Sequence, residues 1–277
     1  MTPKNPDQYR VFGNPIEHSR SPFIHHAFAK QTNQNIDYQK KLIALDDFSN
    51  AVTAFIKQEG RGANITVPFK EQALALADEL SERARLAGAV NTLTFKNGKV
   101  FGDNTDGEGL VQDLIRNKVS LNKSKILLLG AGGAAKGVLL PLLAQNPDSI
   151  TVANRTQSKA ELLCQHFADS RVTASSFLDV ADKQFDLIIN ATSASLSGGL
   201  PAISETVINN TVTCYDMVYG NDETPFLKWA KNQGAAKIID GLGMLVGQAA
   251  VSFSIWRGVS PETLPVIDEL RASFENE

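Results

Sequence analysis

Two polar segments in the first half of the chain carry residue types that can do acid–base chemistry. Asn64–Lys70 places Thr66 and Lys70 where a predicted strand gives way to a helix, the usual mouth of an open α/β sheet. Gly102–Gly107 is a polar loop that contains Asp106. A carboxylate paired with the Lys70 ammonium would relay a proton to or from a reacting oxygen. The residues alone leave open that Lys70 is a surface charge and the loop a solvated linker with helix-capping acids.

A pair of serines, Ser19 and Ser21, lies at a predicted helix entrance, where Pro22 suits the first helical position. Two hydroxyl groups beside the free N–H groups of a helix N-terminus make a neutral site for a carboxylate. The alternative is that Ser21 only caps the helix and Ser19 only fills a turn.

A glycine-rich turn follows the apolar stretch 124–130, which is predicted to be a strand buried on both faces. The turn reads Gly130-Ala131-Gly132-Gly133-Ala134-Ala135, a GxGxxA variant of the dinucleotide fingerprint, and a predicted helix continues from it. Gly130 permits the tight turn, Gly132 lets the backbone approach a pyrophosphate, and the helix N-terminus favours phosphate. Nucleotide binding is predicted from this strand, turn and helix taken together.

The end of the next predicted strand selects the nucleotide. NAD-binding proteins usually place an acidic residue there to hold the ribose hydroxyls. This chain has Asn154-Arg155-Thr156 and no acid, with Lys159 one turn further on. The Arg155 guanidinium can pair with a 2′-phosphate, which an aspartate would repel. The pattern favours NADP over NAD as the cofactor.

The elements that would position these residues alternate between strand and helix along most of the chain. The first hundred residues close on a predicted hairpin at Asn97-Gly98. The strands and helices from 106 to 240 have the order of a doubly wound parallel sheet. The fold class is therefore α/β, in two domains. Two helical segments, 243–257 and 261–274, end the chain, and their periodicity does not decide which domain they complete.

Bulk properties exclude several classes of function. A net charge of −3 over 277 residues gives no reason to expect a nucleic-acid partner. No apolar run reaches the roughly 18 residues that a membrane span needs, and the N-terminus lacks the apolar core of a signal peptide. Two cysteines and four histidines form no metal-binding pattern. We therefore expect a cytoplasmic protein without a metal.

Taken together, the motifs resemble those of the shikimate dehydrogenase family, in the same order from about residue 9 to 270. Many motifs in one order are far more specific than any single motif. They are Gly13–Pro22, Asn64–Lys70, Gly88–Thr92, Gly102–Gly107, the Gly130 loop, Asn154–Thr156, Asn190–Ser193, Tyr215–Met217 and Asp240–Ala250.

The resemblance implies a substrate-binding catalytic domain over 1–105 and a Rossmann-like NADP domain over 106–240, with the 241–277 helices returning to the substrate domain. It also implies the reversible reduction of 3-dehydroshikimate to shikimate by NADPH, a step in making chorismate and the aromatic amino acids. Lys70 and Asp106 would be the catalytic pair. Ser19, Ser21 and Tyr215 would bind the substrate carboxylate, and Thr66, Asn91 and Gln248 the ring hydroxyls. The cofactor residues would be Gly130, Ala131, Gly132, Gly133, Ala134, Asn154, Arg155, Thr156, Lys159, Thr192 and Met217, with Gly241 and Met244 bordering the nicotinamide.

Two rival functions stay open at this point. One is a quinate/shikimate dehydrogenase with broader use of substrate and cofactor, although Asn154-Arg155-Thr156 argues against a preference for NAD. The other is a non-catalytic sensor of the metabolite, against which the presence of both Lys70 and Asp106 counts. The family favours a monomer, and a homodimer is the alternative.

Overall fold

A computed structural model describes residues 5–274, which form two compact units. One unit runs up to Gly109 and takes in Val246–Glu269, while the other comprises Leu110–Leu245 and continues from Leu270. The predicted boundaries, after 105 and after 240, lie a few residues earlier than these. The structure also differs from the expectation for 241–277, because the segment that begins at Leu270 belongs to the second unit.

The first unit is built on a six-stranded sheet in the order β2-β1-β3-β5-β6-β4. Strand β1 is parallel to both neighbours, β3 pairs antiparallel with β5, and β5 and β6 form the predicted hairpin. Asn97 and Gly98 both have positive φ, as a tight hairpin turn requires. Its strands are β1 Asp7–Gly13, β2 Ile36–Leu42, β3 Gly62–Ile65, β4 Glu79–Leu80, β5 Thr92–Lys96 and β6 Lys99–Asp103.

Four helices of this unit connect those strands, and two further helices, α5 and α9, extend across a unit boundary. Buried aromatic and aliphatic side chains between the helices and the sheet, among them Phe12, Phe48 and Phe69, form its main core. The helices are α1 Ser21–Gln31, α2 Phe48–Lys57, α3 Lys70–Leu76 and α4 Glu82–Ala87, followed by α5 Asp106–Arg116 and, near the end of the chain, α9 Leu242–Arg257.

The second unit contains a parallel sheet in the order β12-β11-β10-β7-β8-β9. This is the doubly wound order of dinucleotide-binding domains, and its switch point lies between β7 and β10. The strands are β7 Lys125–Leu129, β8 Ser149–Ala153, β9 Val172–Ser175, β10 Leu187–Asn190, β11 Thr213–Asp216 and β12 Lys237–Ile239. The remaining helices are α6 Gly133–Leu143, α7 Gln157–Phe167, α8 Pro225–Asn232 and α10 Leu264–Phe274, with short 3₁₀ turns at Ala194–Ser197 and Glu205–Val207.

The central strand β7 explains why its apolar run is continuous. Ile126 and Leu128 pack into one core cluster, and Leu127 and Leu129 pack into another. All four side chains are fully buried. Successive side chains of a strand point to opposite faces, so both faces of this sheet must be covered. Among the helices that the structure describes, none has the length and apolar character needed to cross a membrane.

Candidate active site

The register of the first sheet brings four separate segments to one edge. Phe12 of β1 lies beside Ile65 of β3 in parallel, so the chain leaves both strands on the same side. The antiparallel strand β5 begins at Thr92 opposite Asn64, and Asp103 ends β6 opposite Thr92. The segments after β1, after β3, before β5 and after β6 therefore converge, although up to about ninety residues of sequence separate them.

Lys70 and Asp106 meet at this edge as the first residues of α3 and α5. The Lys70 Nζ atom donates to Asp106 Oδ2 at 2.5 Å. Their side chains are 30% and 19% exposed, so a small ligand can reach both. The other oxygen of Asp106 accepts from Asn91 Nδ2 at 2.8 Å, and the Asp106 amide donates to Asn104 Oδ1. Both carboxylate oxygens are thus held by fixed donors, which orients the lysine ammonium.

Asn91 fixes the Lys70–Asp106 pair through its hydrogen bond to the Asp106 carboxylate. Its Oδ1 accepts from the Thr105 amide at 2.9 Å and from the Thr92 hydroxyl at 2.8 Å. Its Nδ2 lies 3.3 Å from Gln248 Oε1, and the Gln248 carbonyl accepts from the Thr105 hydroxyl at 3.0 Å. Asn91 is only 3% exposed. The structure therefore brings the predicted residues Asn91 and Gln248 next to Lys70 and Asp106.

Asn91 also belongs to a buried polar network around Asn64 that the sequence analysis did not single out. Asn64 Nδ2 donates to the Asn91 carbonyl and to Ser252 Oγ, at 3.2 and 3.1 Å. Asn64 Oδ1 accepts from the Tyr38 hydroxyl at 2.7 Å and lies 3.1 Å from His25 Nε2. The carbonyl of Asn91 fixes the orientation of the Asn64 amide, because a flipped amide would face it with an oxygen. An asparagine inside the apolar strand β3 was the available signal for this network.

His25 is a fully buried, neutral member of the network. Burial lowers the pKa of His25 to about 3, and the hydrogen bond to Asn64 only partly offsets that effect. Because Asn64 Oδ1 can only accept, the imidazole carries its proton on Nε2. Its ring stacks on Tyr38 with ring centroids 4.2 Å apart. Its Nδ1 atom finds no hydrogen-bond partner in the described part of the chain.

The two serines meet at the start of α1. The helix begins at Ser21, so Arg20 and not Ser21 is its N-cap residue, and the Arg20 side chain makes no cap hydrogen bond. The alternative in which Ser21 only caps the helix is therefore wrong. The Ser19 and Ser21 hydroxyl oxygens are 3.3 Å apart, and Ser19 Oγ also accepts from the Ser21 amide. Thr66, directly after β3, is half-buried at the same sheet edge.

The glycine-rich turn of the second unit has the shape that a phosphate needs. Gly130 has a φ of +109°, and a Cβ atom there would also lie 3.1 Å from the Ala191 carbonyl oxygen. Gly132, Gly133 and Ala134 are exposed, and open space surrounds the two glycines where a side chain would stand. Ala135 is fully buried. The turn thus presents an uncovered backbone and the N-terminus of α6 to solvent, which fits a pyrophosphate.

The loop after β8 fits the 2′-phosphate of NADP. Arg155 and Lys159 are exposed, and neither forms an ion pair with another residue that the structure describes. The Asn154 side chain donates to the Thr156 carbonyl at 2.8 Å, which fixes the loop. Because β7 and β8 are parallel neighbours, this loop and the Gly130 turn leave the sheet at the same edge. Two free cations beside the phosphate turn suit a cofactor with an additional phosphate.

Comparison with known proteins decides the family. Three of its models match the chain: the shikimate dehydrogenase substrate binding domain over residues 11–93, shikimate / quinate 5-dehydrogenase over 113–203, and the shikimate 5′-dehydrogenase C-terminal domain over 241–271. A shikimate dehydrogenase (NADP(+)) from Colwellia psychrerythraea is 72% identical over 275 residues, which cover 99% of this chain and 100% of that relative. The chain belongs to the shikimate dehydrogenase family.

Solved structures agree with this membership in the shikimate dehydrogenase family. An Ael1 enzyme from Pseudomonas putida superposes with a TM-score of 0.93 at 44% identity, over 95% of this chain and 98% of that one. Shikimate 5-dehydrogenase from Thermus thermophilus, in complex with NADP(H) and shikimate, gives a TM-score of 0.87 at 30% identity, over 96% and 99%. The predicted family and fold class are confirmed.

One residue predicted to bind the substrate carboxylate, Tyr215, lies in the protein core. Tyr215 is fully buried at the end of β11, and its hydroxyl donates to Asp113 Oδ2 at 2.8 Å. Burial is also the main reason why the pKa of Tyr215 lies well above its ordinary value. A side chain without accessible surface and with an occupied hydroxyl cannot contact a substrate carboxylate. The structure contradicts that role, and Tyr215 is left out of the substrate site proposed below.

The other predicted cofactor residues of the shikimate dehydrogenase fold lie after β10, β11 and β12. The Thr192 hydroxyl and amide both donate to Asn190 Oδ1, at 2.7 and 3.1 Å. Met217 and Met244 are half-buried against the apolar core of the second unit. Gly241 is buried, directly before α9. No group of three or more side chains suited to a metal ion occurs within residues 5–274.

Proposed function

We propose that the chain catalyses the reversible reduction of 3-dehydroshikimate to shikimate, with Lys70 and Asp106 as its catalytic pair. The observation that carries this proposal is the 2.5 Å hydrogen bond between Lys70 and a carboxylate whose other oxygen is held by Asn91. Membership in the family supports the reaction, and the relatives named as NADP(+)-dependent support the cofactor.

In the proposed mechanism the Gly130 turn and the Arg155 loop would hold NADPH, which would supply a hydride for the substrate carbonyl carbon. The Lys70 ammonium donates a hydrogen bond, and then a proton, to the oxygen that gains negative charge. Asp106 keeps the ammonium oriented and accepts a hydrogen bond from the neighbouring ring hydroxyl. In the reverse direction Lys70 takes the proton back from the shikimate hydroxyl while Asp106 keeps the lysine oriented.

The remaining residues of the proposed substrate site bind and orient. The Ser19 and Ser21 hydroxyls bind the carboxylate at the start of α1, where the helix dipole favours an anion. Thr66, Asn91 and Gln248 hold the ring hydroxyls. Because Asn91 is itself fixed by Thr92 and Thr105, it holds the Asp106 carboxylate in a preorganised position beside the substrate.

The test is to follow reduced nicotinamide by absorbance with shikimate as substrate, in parallel with NADP and with NAD. Fast reduction with NADP and slow reduction with NAD is the expected result. A parallel assay with quinate distinguishes the broader quinate/shikimate activity, for which quinate turnover would be comparable. A folded protein that binds shikimate without any turnover would contradict catalysis and favour the sensor. The cytoplasmic location and the monomeric state stay predictions, and sedimentation velocity at several protein concentrations tests the latter.

A further inference from the structure

Tyr215 is hydrogen-bonded inside the second unit. Its hydroxyl donates to Asp113 Oδ2 at 2.8 Å, in the middle of helix α5. The ring is fully buried in the core cluster that also contacts Met244. The phenol therefore links the middle of one helix, α5, to the beginning of another, α9.

Asp113 is a buried carboxylate that accepts hydrogen bonds from three side chains. Besides Tyr215, the Arg116 guanidinium donates to its Oδ1, and Asn117 Nδ2 donates to the same oxygen at 3.0 Å. Asp113 is 2% exposed. A Cβ atom on Gly243 would overlap the Asp113 carboxylate, so glycine is required there for the close approach of α9. Arg116 compensates the negative charge, and the carboxylate is held rigidly against the first turn of α9.

That first turn needs external partners, because the first four amides of a helix have no acceptor within the helix. Asp240 Oδ1 accepts from the Leu242 amide at 3.2 Å, and Arg271 in turn holds the Asp240 carboxylate through two hydrogen bonds of 2.7 and 2.8 Å. The Asp113 carboxylate, which Tyr215 holds, packs against Gly243 in the same turn. The start of α9 is thus fixed at two points, by Asp240 at Leu242 and by Asp113 at Gly243.

We infer that Tyr215 and Asp113 are positioning residues, which fix Met244 and the first turn of α9 where the nicotinamide ring binds. This inference rests on the proposed function and on the expectation, implied by the family resemblance, that Met244 borders the nicotinamide. Hydride transfer depends on the distance between donor and acceptor atoms, and displacements near 1 Å change its rate strongly. A residue that holds one wall of the nicotinamide site therefore acts on the hydride step without contacting the reacting atoms.

The first test needs no substrate or cofactor. Amide hydrogen exchange of Tyr215→Phe is compared with that of the unaltered protein, and the peptide covering the start of α9 is expected to exchange about fivefold faster, as one lost hydrogen bond allows. Tyr9→Phe is the matched control, because Tyr9 is also a buried tyrosine whose hydroxyl is hydrogen-bonded, here to Arg257. Tyr9→Phe should leave the hydrogen exchange of the peptide that covers the start of α9 unchanged.

The second test measures the hydride step. With NADPH deuterated at the transferred position, Tyr215→Phe should show a larger isotope effect and a kcat lowered by about tenfold, with the KM for 3-dehydroshikimate unchanged. Asp113→Asn keeps an oxygen for the Tyr215 hydroxyl and should show smaller changes in the same direction. If Tyr215→Phe folds poorly, Asp113→Asn takes its place in both measurements.

Unchanged exchange and an unchanged isotope effect in both variants would overturn the inference. A raised KM for 3-dehydroshikimate with unchanged exchange would overturn it in favour of a substrate contact by Tyr215. If the unaltered protein has no activity on shikimate, the proposed function fails. The exchange measurement then still decides whether Tyr215 and Asp113 fix the start of α9.

Discussion

At the residue scale, the hydrogen bond from Lys70 Nζ to Asp106 Oδ2 fixes the direction of the lysine ammonium. An isolated lysine ammonium at a sheet edge is strongly hydrated and points in no fixed direction. The Asp106 carboxylate removes that freedom, because its two oxygens bind Lys70 and Asn91 at once. Fixed donors aimed at a developing negative charge need little reorganisation during the reaction, which is the main source of their effect on rate.

Replacing Lys70 by alanine should therefore lower kcat by about 10²–10⁴, the usual contribution of proton assistance. Thermal unfolding should change little, because Lys70 is 30% exposed and contacts only the site. Lys96→Ala is the matched control, since Lys96 is an exposed lysine on the hairpin strand β5. Steady-state kinetics check both variants, and a near-normal kcat in Lys70→Ala would rule out the catalytic role.

His25 makes stability depend on pH. Its pKa is about 3 in the folded protein and close to 6.5 when unfolded, so the unfolded chain binds the extra proton between those values. Stability is then fully present above the unfolded pKa and is lost as the pH falls below it. The free energy of unfolding should drop by about 2 kcal/mol between about pH 7 and pH 5 through this group.

The variant His25→Gln isolates that contribution, because glutamine keeps a donor for Asn64 but does not titrate. Urea unfolding of both proteins at the two pH values measures it. The unaltered protein should lose more stability than the variant on acidification. Equal losses would show that His25 is protonated in the fold or that its burial is incomplete.

At the scale of elements, two loops after neighbouring parallel strands form the proposed cofactor site. In that proposed site the Gly130 turn would provide the backbone for the pyrophosphate, and Arg155 would provide the charge that separates NADP from NAD. Both follow from local sequence, because a glycine turn and a strand-end cation act close to where they stand in the chain. This explains why the sequence alone predicts them.

Arg155→Ala should raise the KM for NADP by at least about tenfold, the cost of losing one charge-assisted contact to phosphate. The KM for NAD should hardly change, since NAD lacks the 2′-phosphate. Lys183→Ala is the control, because it removes an exposed cation at the opposite, amino-terminal edge of the same parallel sheet, before β10. Equal changes for both cofactors would contradict the assignment of Arg155.

Other elements and contacts depend on tertiary partners, and the sequence does not predict them. Strand β9 is short and only partly apolar, so its assignment depends on pairing with β8. Helix α10 begins at Leu264 and not at Pro261. Tyr215 shows the same limit of prediction from sequence. A motif can place it at the end of β11, but only the packed structure shows that its hydroxyl is bound to Asp113.

At the scale of the whole molecule, the chain divides into two units that each carry part of the proposed chemistry. Residues proposed for shikimate occur in the unit that runs up to Gly109 and includes Val246–Glu269. Residues proposed for NADP occur in Leu110–Leu245. The domain boundaries predicted from the sequence lie after 105 and after 240, whereas the two units change after Gly109 and after Leu245. Nothing in the sequence indicates that the segment from Leu270 belongs to the second unit, where Arg271 binds Asp240.

This division predicts a separate response to each ligand. NADP at about a hundred times its Kd should stabilise the protein by about 2.7 kcal/mol, and hydrogen exchange should slow at 130–135 and 154–159. Shikimate alone should slow exchange at 19–21, 66–70 and 104–106 and leave the Gly130 turn unchanged. NAD at the concentration used for NADP should protect the Arg155 loop less, because it lacks the phosphate. Protection of the Gly130 turn by shikimate alone would contradict the assignment of the two sites to separate units.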